Sequence, residues 1–326
     1  MKKCFVFAAV FCLFVFAGCA KEEETETIEL RLAEMHHESH ITTQADYEFA
    51  RLVEEKSNGE IKVTVYPDGE LGTADQNLQM LYDGELDFAR TSPIKFAEFS
   101  EMADILQFPY LFRDSEHMWR TVETYIIPRI DADIYYHNAK LLACYDAGAR
   151  NIYADRPIET IDDLKGLKIR VADSEKTGVF FNSFGANPVV MDYINVYDAL
   201  KVGTVNGAEN NFTSYYNSKH YEYAKYITKV EYSRVPDILV VDRSMFDALT
   251  ESQQNIIISS ANQASLYQRS LWQQYETDIE NKLTSFGCVI TEPSQDFVSK
   301  LRECSNLIYS EYPNYADLIN QIKSIQ

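Results

Sequence analysis

The sequence predicts an α/β fold in two lobes, braced by one long helix. Three observations carry that prediction. The chain has 326 residues, more than one hydrophobic core usually supports. A strand, helix, strand rhythm runs once before residue 90 and again from Lys168, which implies parallel strands with right-handed crossovers. Apolar residues then recur at Ile257, Ala261, Ala264, Leu271, Tyr275, Ile279, Leu283 and Phe286, the spacing of one continuous helix.

Composition narrows the class. Hydrophobic residues make up 46% of the chain and aromatic ones 13%, as in folded globular proteins. The formal net charge of −20 repels nucleic acid, which is excluded as a partner. At the N-terminus, Met1-Lys-Lys3 is basic, Cys4 to Ala17 is apolar and Ala17-Gly18 precede Cys19. That run is shorter than the roughly 20 residues needed to span a bilayer and has the layout of a secretory signal. Phe16-Ala-Gly-Cys19 resembles a bacterial lipoprotein signal, although Phe16 stands where leucine is commoner. The resemblance implies removal of residues 1–18, lipidation of Cys19, and a periplasmic protein anchored to a membrane through a charged tether, 19–26. Cys144, Cys288 and Cys304 remain. An odd number excludes a complete disulfide framework, but Cys288 and Cys304 are free to pair, while Cys144 reads as a small buried hydrophobe. No cofactor motif occurs.

Taken in order, Thr27 to Glu34 alternates Ile28, Leu30 and Leu32 with Glu29 and Arg31, a half-buried first strand. A loop with His36, His37 and His40 follows. Ala45 to Lys56 has helical spacing and stops at Ser57-Asn-Gly59. Ile61 to Tyr66 is a second strand, Pro67 to Gly72 a turn, and a helix to Tyr82 leads into a short strand, Leu86 to Ala89. Asp114 to His137 reads as helix, which Pro128 must kink or divide. Leu141 to Tyr145 and Asn151 to Ala154 are strands, and Arg156 to Leu164 is a turn into a short helix. From Lys168 come a strand, a helix over 174–184, a strand from Pro188 to Met191 and a helix over 193–202. The long helix, Thr250 to Phe286, would reach about 50 Å at 1.5 Å per residue. A strand from Cys288 to Ile290 and two helices end the chain. Residues 27–150 are therefore assigned mainly to lobe I, 151–240 mainly to lobe II, and 241–326 to helices packing across both. No linker-like stretch separates them, so several strands should cross between lobes.

Two arginines mark the candidate site. Arg150 and Arg170 each follow a short apolar run, and strand ends are where α/β folds place ligand groups. Lys168 and Arg170 share one strand face, opposite Ile169 and Val171. Taken alone, an arginine at a strand end is more often solvated or in a surface ion pair, and Asn210-Asn211 more often a helix cap.

The motifs are Val53-Glu-Glu-Lys-Ser-Asn-Gly59, Val65-Tyr-Pro67 with Leu71-Gly72, Asp83-Gly-Glu-Leu-Asp87, Phe108-Pro-Tyr-Leu-Phe112, Arg156-Pro-Ile158, Asp162-Asp-Leu-Lys-Gly-Leu-Lys-Ile-Arg170, Gly185-Ala-Asn-Pro188, Val196-Tyr-Asp-Ala-Leu200 and Gly207-Ala-Glu-Asn210. In this order they resemble the substrate-binding proteins of tripartite ATP-independent periplasmic (TRAP) transporters, the DctP type. The resemblance covers the chain from about Ile28 to its end. It implies a two-lobed periplasmic-binding-protein fold with mixed sheets, a cleft between the lobes, and delivery of a small organic acid to a membrane permease. It further implies that Arg170 clamps the ligand carboxylate, with Arg150 as second arginine and Asn210 as hydrogen-bond partner. A planar guanidinium meets both carboxylate oxygens at once, which lysine does not.

The run from Gly207 to Tyr215 with His220-Tyr221 looks like members that bind sugar acids such as glucuronate and galacturonate. Sugar acids need many hydroxyl partners, and His36 and His37 supply donors and acceptors. Ser92, Lys95, Asp173, Tyr193 and Asn211 stand at or beside positions that line the cleft in this family, Tyr193 to stack on the ligand and Asp173 to accept from a hydroxyl. A dicarboxylate or α-keto acid is the alternative ligand. A surface hydrolase or lyase acting on acidic saccharides is the alternative of another class, but no acid, base and nucleophile set accompanies the arginines, so no enzyme is expected. His36 and His40 stand four apart, a spacing that holds a metal only on a helix, and no metal site is expected.

Overall fold

A computed structural model describes residues 27–172 and 174–325. In chain order its strands are β1 (Ile28–Ala33), β2 (Ile61–Tyr66), β3 (Phe88–Thr91), β4 (Ala139–Tyr145), β5 (Arg150–Ala154), β6 (Lys168–Val171), β7 (Asn187–Val190), β8 (Gly207–Asn210), β9 (Tyr226–Ser233), β10 (Asp237–Asp242) and β11 (Val289–Thr291). Sheet I has the order β2-β1-β3-β10-β4 and sheet II the order β11-β9-β5-β8-β6-β7. Both sheets are mixed. Strands joined through helices are parallel, β1 with β2 and β3, and β6 with β7 and β8. β10 lies antiparallel between β3 and β4, and β5 antiparallel between β8 and β9.

Neither β9 nor β10 is anticipated by the sequence reading. Ile238 to Val241 is a fully buried apolar run, as a strand paired on both edges requires. It returns the chain to sheet I, so the backbone passes between sheets at 145–150 and at 233–237.

The first helix begins at Ile41 rather than Ala45, because His40 caps it and its Nδ1 accepts from Thr42 N at 3.1 Å. Ile41, Thr42 and Thr43 are β-branched and read poorly as helix, yet all three are buried. The expected helix around Pro128 is divided. Ser115–Thr121 and Ile127–Ile134 are α-helical and are joined by a π-helical turn, Val122–Ile126. Pro128 then sits in a first turn, where its missing N–H costs nothing.

The long helix, Glu251–Ser285, is closed at its start by Thr250 and Gln253, each bonding the other's backbone. Ile257, Ala261 and Ala264 pack with Phe49 and Phe88 beside sheet I, while Ile279 and Leu283 pack with Tyr153, Tyr215 and Ile227 beside sheet II. One rigid element thus rests on both lobes. Leu271 and Phe286 do not belong to its buried stripe, being 39% and 48% exposed. Gln268 and Trp272 are buried instead. The reason for Gln268 is polar, since its amide accepts from Asp146 N at 2.8 Å and donates to Asp146 O at 2.7 Å, fastening the helix to the first crossing.

The C-terminal helices, Gln295–Glu311 and Ala316–Ser324, bury Phe297, Leu301, Ile319 and Ile322 in a core that also holds Ile130 of lobe I and Phe180 of lobe II. Cys288 and Cys304 do not pair. All three cysteines of the described chain are free thiols, and these two belong to different cores.

Candidate functional site

Between the sheets lies a cavity of about 180 Å³, lined from lobe I by Arg90, Ser92 and Lys95, from lobe II by Arg150, Arg170 and Asn210, and from the crossings by Ala147, Ser233 and Val235. Two arginines approach it from sheet II. Arg170 occupies β6 beside β7 and β8, and its Nε and Nη2 donate to Met191 O at 2.9 and 2.6 Å. Arg150 opens β5 rather than closing β4, and its Nε and Nη2 donate to the carboxylate of Glu209. In both, Nη1 has no protein partner among the described residues, while the rest of the guanidinium is held rigid.

Glu209 is fully buried and fully used. It also accepts from Tyr232 Oη at 2.7 Å and Ala172 N at 3.2 Å. Burial alone would raise its pKa, but Arg150 and then Arg170 hold it below the ordinary glutamate value. Among the described residues Arg170 has no such carboxylate of its own. Burial pushes its guanidinium pKa down, with Glu209 opposing and Arg150 adding to the drop. Burial, reinforced by Arg170, also pushes His220 down to about 3, so that ring is neutral, its Nδ1 2.8 Å from Tyr153 Oη. The wall carried by sheet II therefore presents positive charge that the described residues leave incompletely balanced.

Asn210 and Asn211 do different work. Asn210 Oδ1 accepts from Asn211 N at 2.9 Å, and its Nδ2 has no partner among the described residues. Asn211 caps the helix Phe212–Asn217 through Ser214 N at 2.6 Å and donates Nδ2 to Ala147 O at 2.8 Å. Both its side-chain groups are spent on structure, although it lines the cavity. Tyr193 stands at the cavity edge with its hydroxyl between Ser214 O and Ser218 Oγ, and His36 meets its ring edge-on at 5.3 Å.

His36 and Ser92 also line the cavity, as does Lys95, whose Nζ is 2.8 Å from Asp75. His37 does not. It is exposed, with Nδ1 2.9 Å from Ser39 Oγ, in a separate outer hollow that shares Met35 and Tyr193 with the inner cavity. Asp173 and Cys19 lie outside the described residues.

The sequence reading misses the lobe I side of the site. Arg90, on β3, is 4% exposed and donates Nε and Nη2 to Glu34, which follows β1. Its Nη1 is 3.0 Å from Asp237 and its Nη2 2.8 Å from His36 Nδ1, so no nitrogen is left over. Burial alone would raise the Glu34 pKa, but Arg90 and His36 hold the carboxyl well below its usual range. Behind it, burial and the Glu34 charge push the Asp46 carboxyl well above the usual range. The available signal is a charge inside one short strand segment, Arg90 in Phe88 to Thr91, and a charge closing another, Glu34 after Leu32-Ala33.

Residues 32–314 match the family described as bacterial extracellular solute-binding protein, family 7 (DctP). A TRAP periplasmic solute-binding protein from Xanthobacter autotrophicus, crystallised with β-D-galacturonate, superposes with a TM-score of 0.85 at 31% identity over 91% of this chain and 100% of that one. One from Chromohalobacter salexigens with bound D-glucuronate gives 0.85 at 30% identity over the same shares. The 2,3-diketo-L-gulonate-binding periplasmic protein YiaO of Escherichia coli is 29% identical, covering 85% of this chain and 86% of its own length.

The Arg150 and Glu209 pair yields a prediction. Glu209→Gln keeps the shape but leaves a buried guanidinium unpaired, which should cost about 3 kcal/mol at neutral pH. Because the folded pKa of Glu209 is depressed, its contribution is full above the unfolded value and lost as pH falls through the folded one. Urea unfolding at a series of pH values should show the wild-type advantage shrinking below about pH 4. An advantage that stays constant down to acid pH contradicts this role.

Proposed function

Because the chain belongs to bacterial extracellular solute-binding protein family 7, the DctP family of TRAP receptors, we propose that it captures a sugar acid, a uronate such as glucuronate or galacturonate, and hands it to a membrane permease. The observation that carries the ligand's charge is Arg170, a guanidinium buried at the cavity wall with no carboxylate of its own among the described residues. An anionic ligand is the missing counter-charge. Arg170 Nη1, Arg150 Nη1 and Asn210 Nδ2 are the donors that would meet it, and charge-assisted hydrogen bonds contribute roughly 1.5–3 kcal/mol each. The uronate-bound relatives support the sugar part of the reading. Ser92, Lys95, Tyr193 and His36 would complete the ligand shell.

The family consists of receptors, and reversible binding without turnover is the expectation for this chain. Net charge offers an anion no steering, since fields between exposed charges are screened beyond about 8 Å at physiological salt. The attraction must come from the local arginines.

Two measurements test the proposal. Thermal shift and calorimetric titration with D-glucuronate and D-galacturonate should show saturable binding, worth about 2.7 kcal/mol of stability at a hundredfold excess over Kd. Arg170→Ala should weaken it at least about 100-fold, whereas an unchanged Kd in the variant would remove Arg170 from the site. We further propose the lipid anchor on Cys19. Cys19→Ala should move the protein from the membrane fraction to the soluble one, and an unchanged distribution would count against lipidation.

A further inference from the structure

The two walls of the cavity hold their charges differently. On sheet II, Arg170 has no carboxylate among the described residues. On lobe I, Arg90 carries two, Glu34 and Asp237, and Lys95 carries Asp75. Among the described residues these two cations meet three carboxylates, and every nitrogen of Arg90 is already committed. What remains open toward the cavity is Asp237, whose side chain is 15% exposed and whose carboxylate accepts hydrogen bonds.

Resting on the sugar-acid reading, we infer that Asp237, with the Arg90 and Glu34 pair behind it, selects for one carboxylate and against two. The receptor takes polyhydroxy monocarboxylates and rejects dicarboxylates that carry the same hydroxyls. A ligand with its carboxylate on Arg170 points its far end at Asp237. A hydroxyl there donates a hydrogen bond, whereas a second carboxylate has no proton to donate and meets like charge at the cavity wall. Such juxtapositions discriminate strongly where desolvation is high.

The test compares D-galactonate with galactarate, which differ only in a terminal CH₂OH replaced by a carboxylate, with D-galacturonate as reference, in calorimetric titrations of the wild type and of Asp237→Asn. Galactarate should bind the wild type at least about 100-fold more weakly than the tighter monocarboxylate. Asp237→Asn should narrow that ratio at least tenfold by removing the repulsion. Equal binding of galactarate, or an unchanged ratio in a folded variant, overturns the inference while leaving the sugar-acid reading intact. Binding of short dicarboxylates with none of the three sugar acids would sink both. Should circular dichroism show that Asp237→Asn is unfolded, the wild-type ratio of galactonate to galactarate decides.

Discussion

A buried guanidinium, Arg170, with no carboxylate hydrogen-bonded to it among the described residues, is the constraint around which this site is arranged. Burying Arg170 in the wall of the cavity costs desolvation energy, and the described residues offset part of it. Two hydrogen bonds to Met191 O fix the side chain, and Glu209 shares its charge between Arg150 and Arg170. His220 stays neutral beside it. The remainder is available to an anion, and recognition by fixed, desolvated donors needs no reorganisation when the ligand arrives. The same Glu209 that limits the cost also orients Arg150, so both arginines present their free nitrogens from a rigid frame.

The frame spans the crossings between lobes. Arg150 follows the first crossing directly, Asn211 donates to Ala147 within it, and Gln268 of the long helix grips Asp146 at its start. Gly148, at φ +61°, lies so close to Trp272 and Glu276 of the long helix that a Cβ would collide with them. The crossing is therefore packed against an element that rests on both lobes, and any rotation of one lobe against the other must move residues that line the cavity. Lobe I supplies the facing wall, where Arg90 is paired with Glu34 and Asp237.

Much of the fold is legible in the sequence because its strands alternate and its helices are punctuated. The departures have local causes. The β-branched start at Ile41 disguises a helix that His40 caps, the π-helical turn absorbs Pro128, and the run Ile238 to Val241 has no periodicity to mark it because both its faces are buried. Trp272 replaces Leu271 on the inner face of the long helix, a shift of one residue that an apolar pattern does not resolve. Arg150, Arg170 and Asn210 are found through ordered motifs and a family resemblance, since singly each has a commoner explanation. Arg90, Glu34 and Asp237 escape for a different reason. They lie on three strands that are neighbours only in the folded sheet, 56 residues separating the first pair, and no local pattern reports their meeting.

The most direct test of the account is the crystal structure of the wild-type protein with D-galacturonate. The carboxylate should lie within hydrogen-bond distance of Arg170 Nη1 and Asn210 Nδ2, with ring hydroxyls toward Asp237 and His36. A carboxylate seated instead on Arg90 or Lys95, with sugar hydroxyls against Arg170, would contradict it.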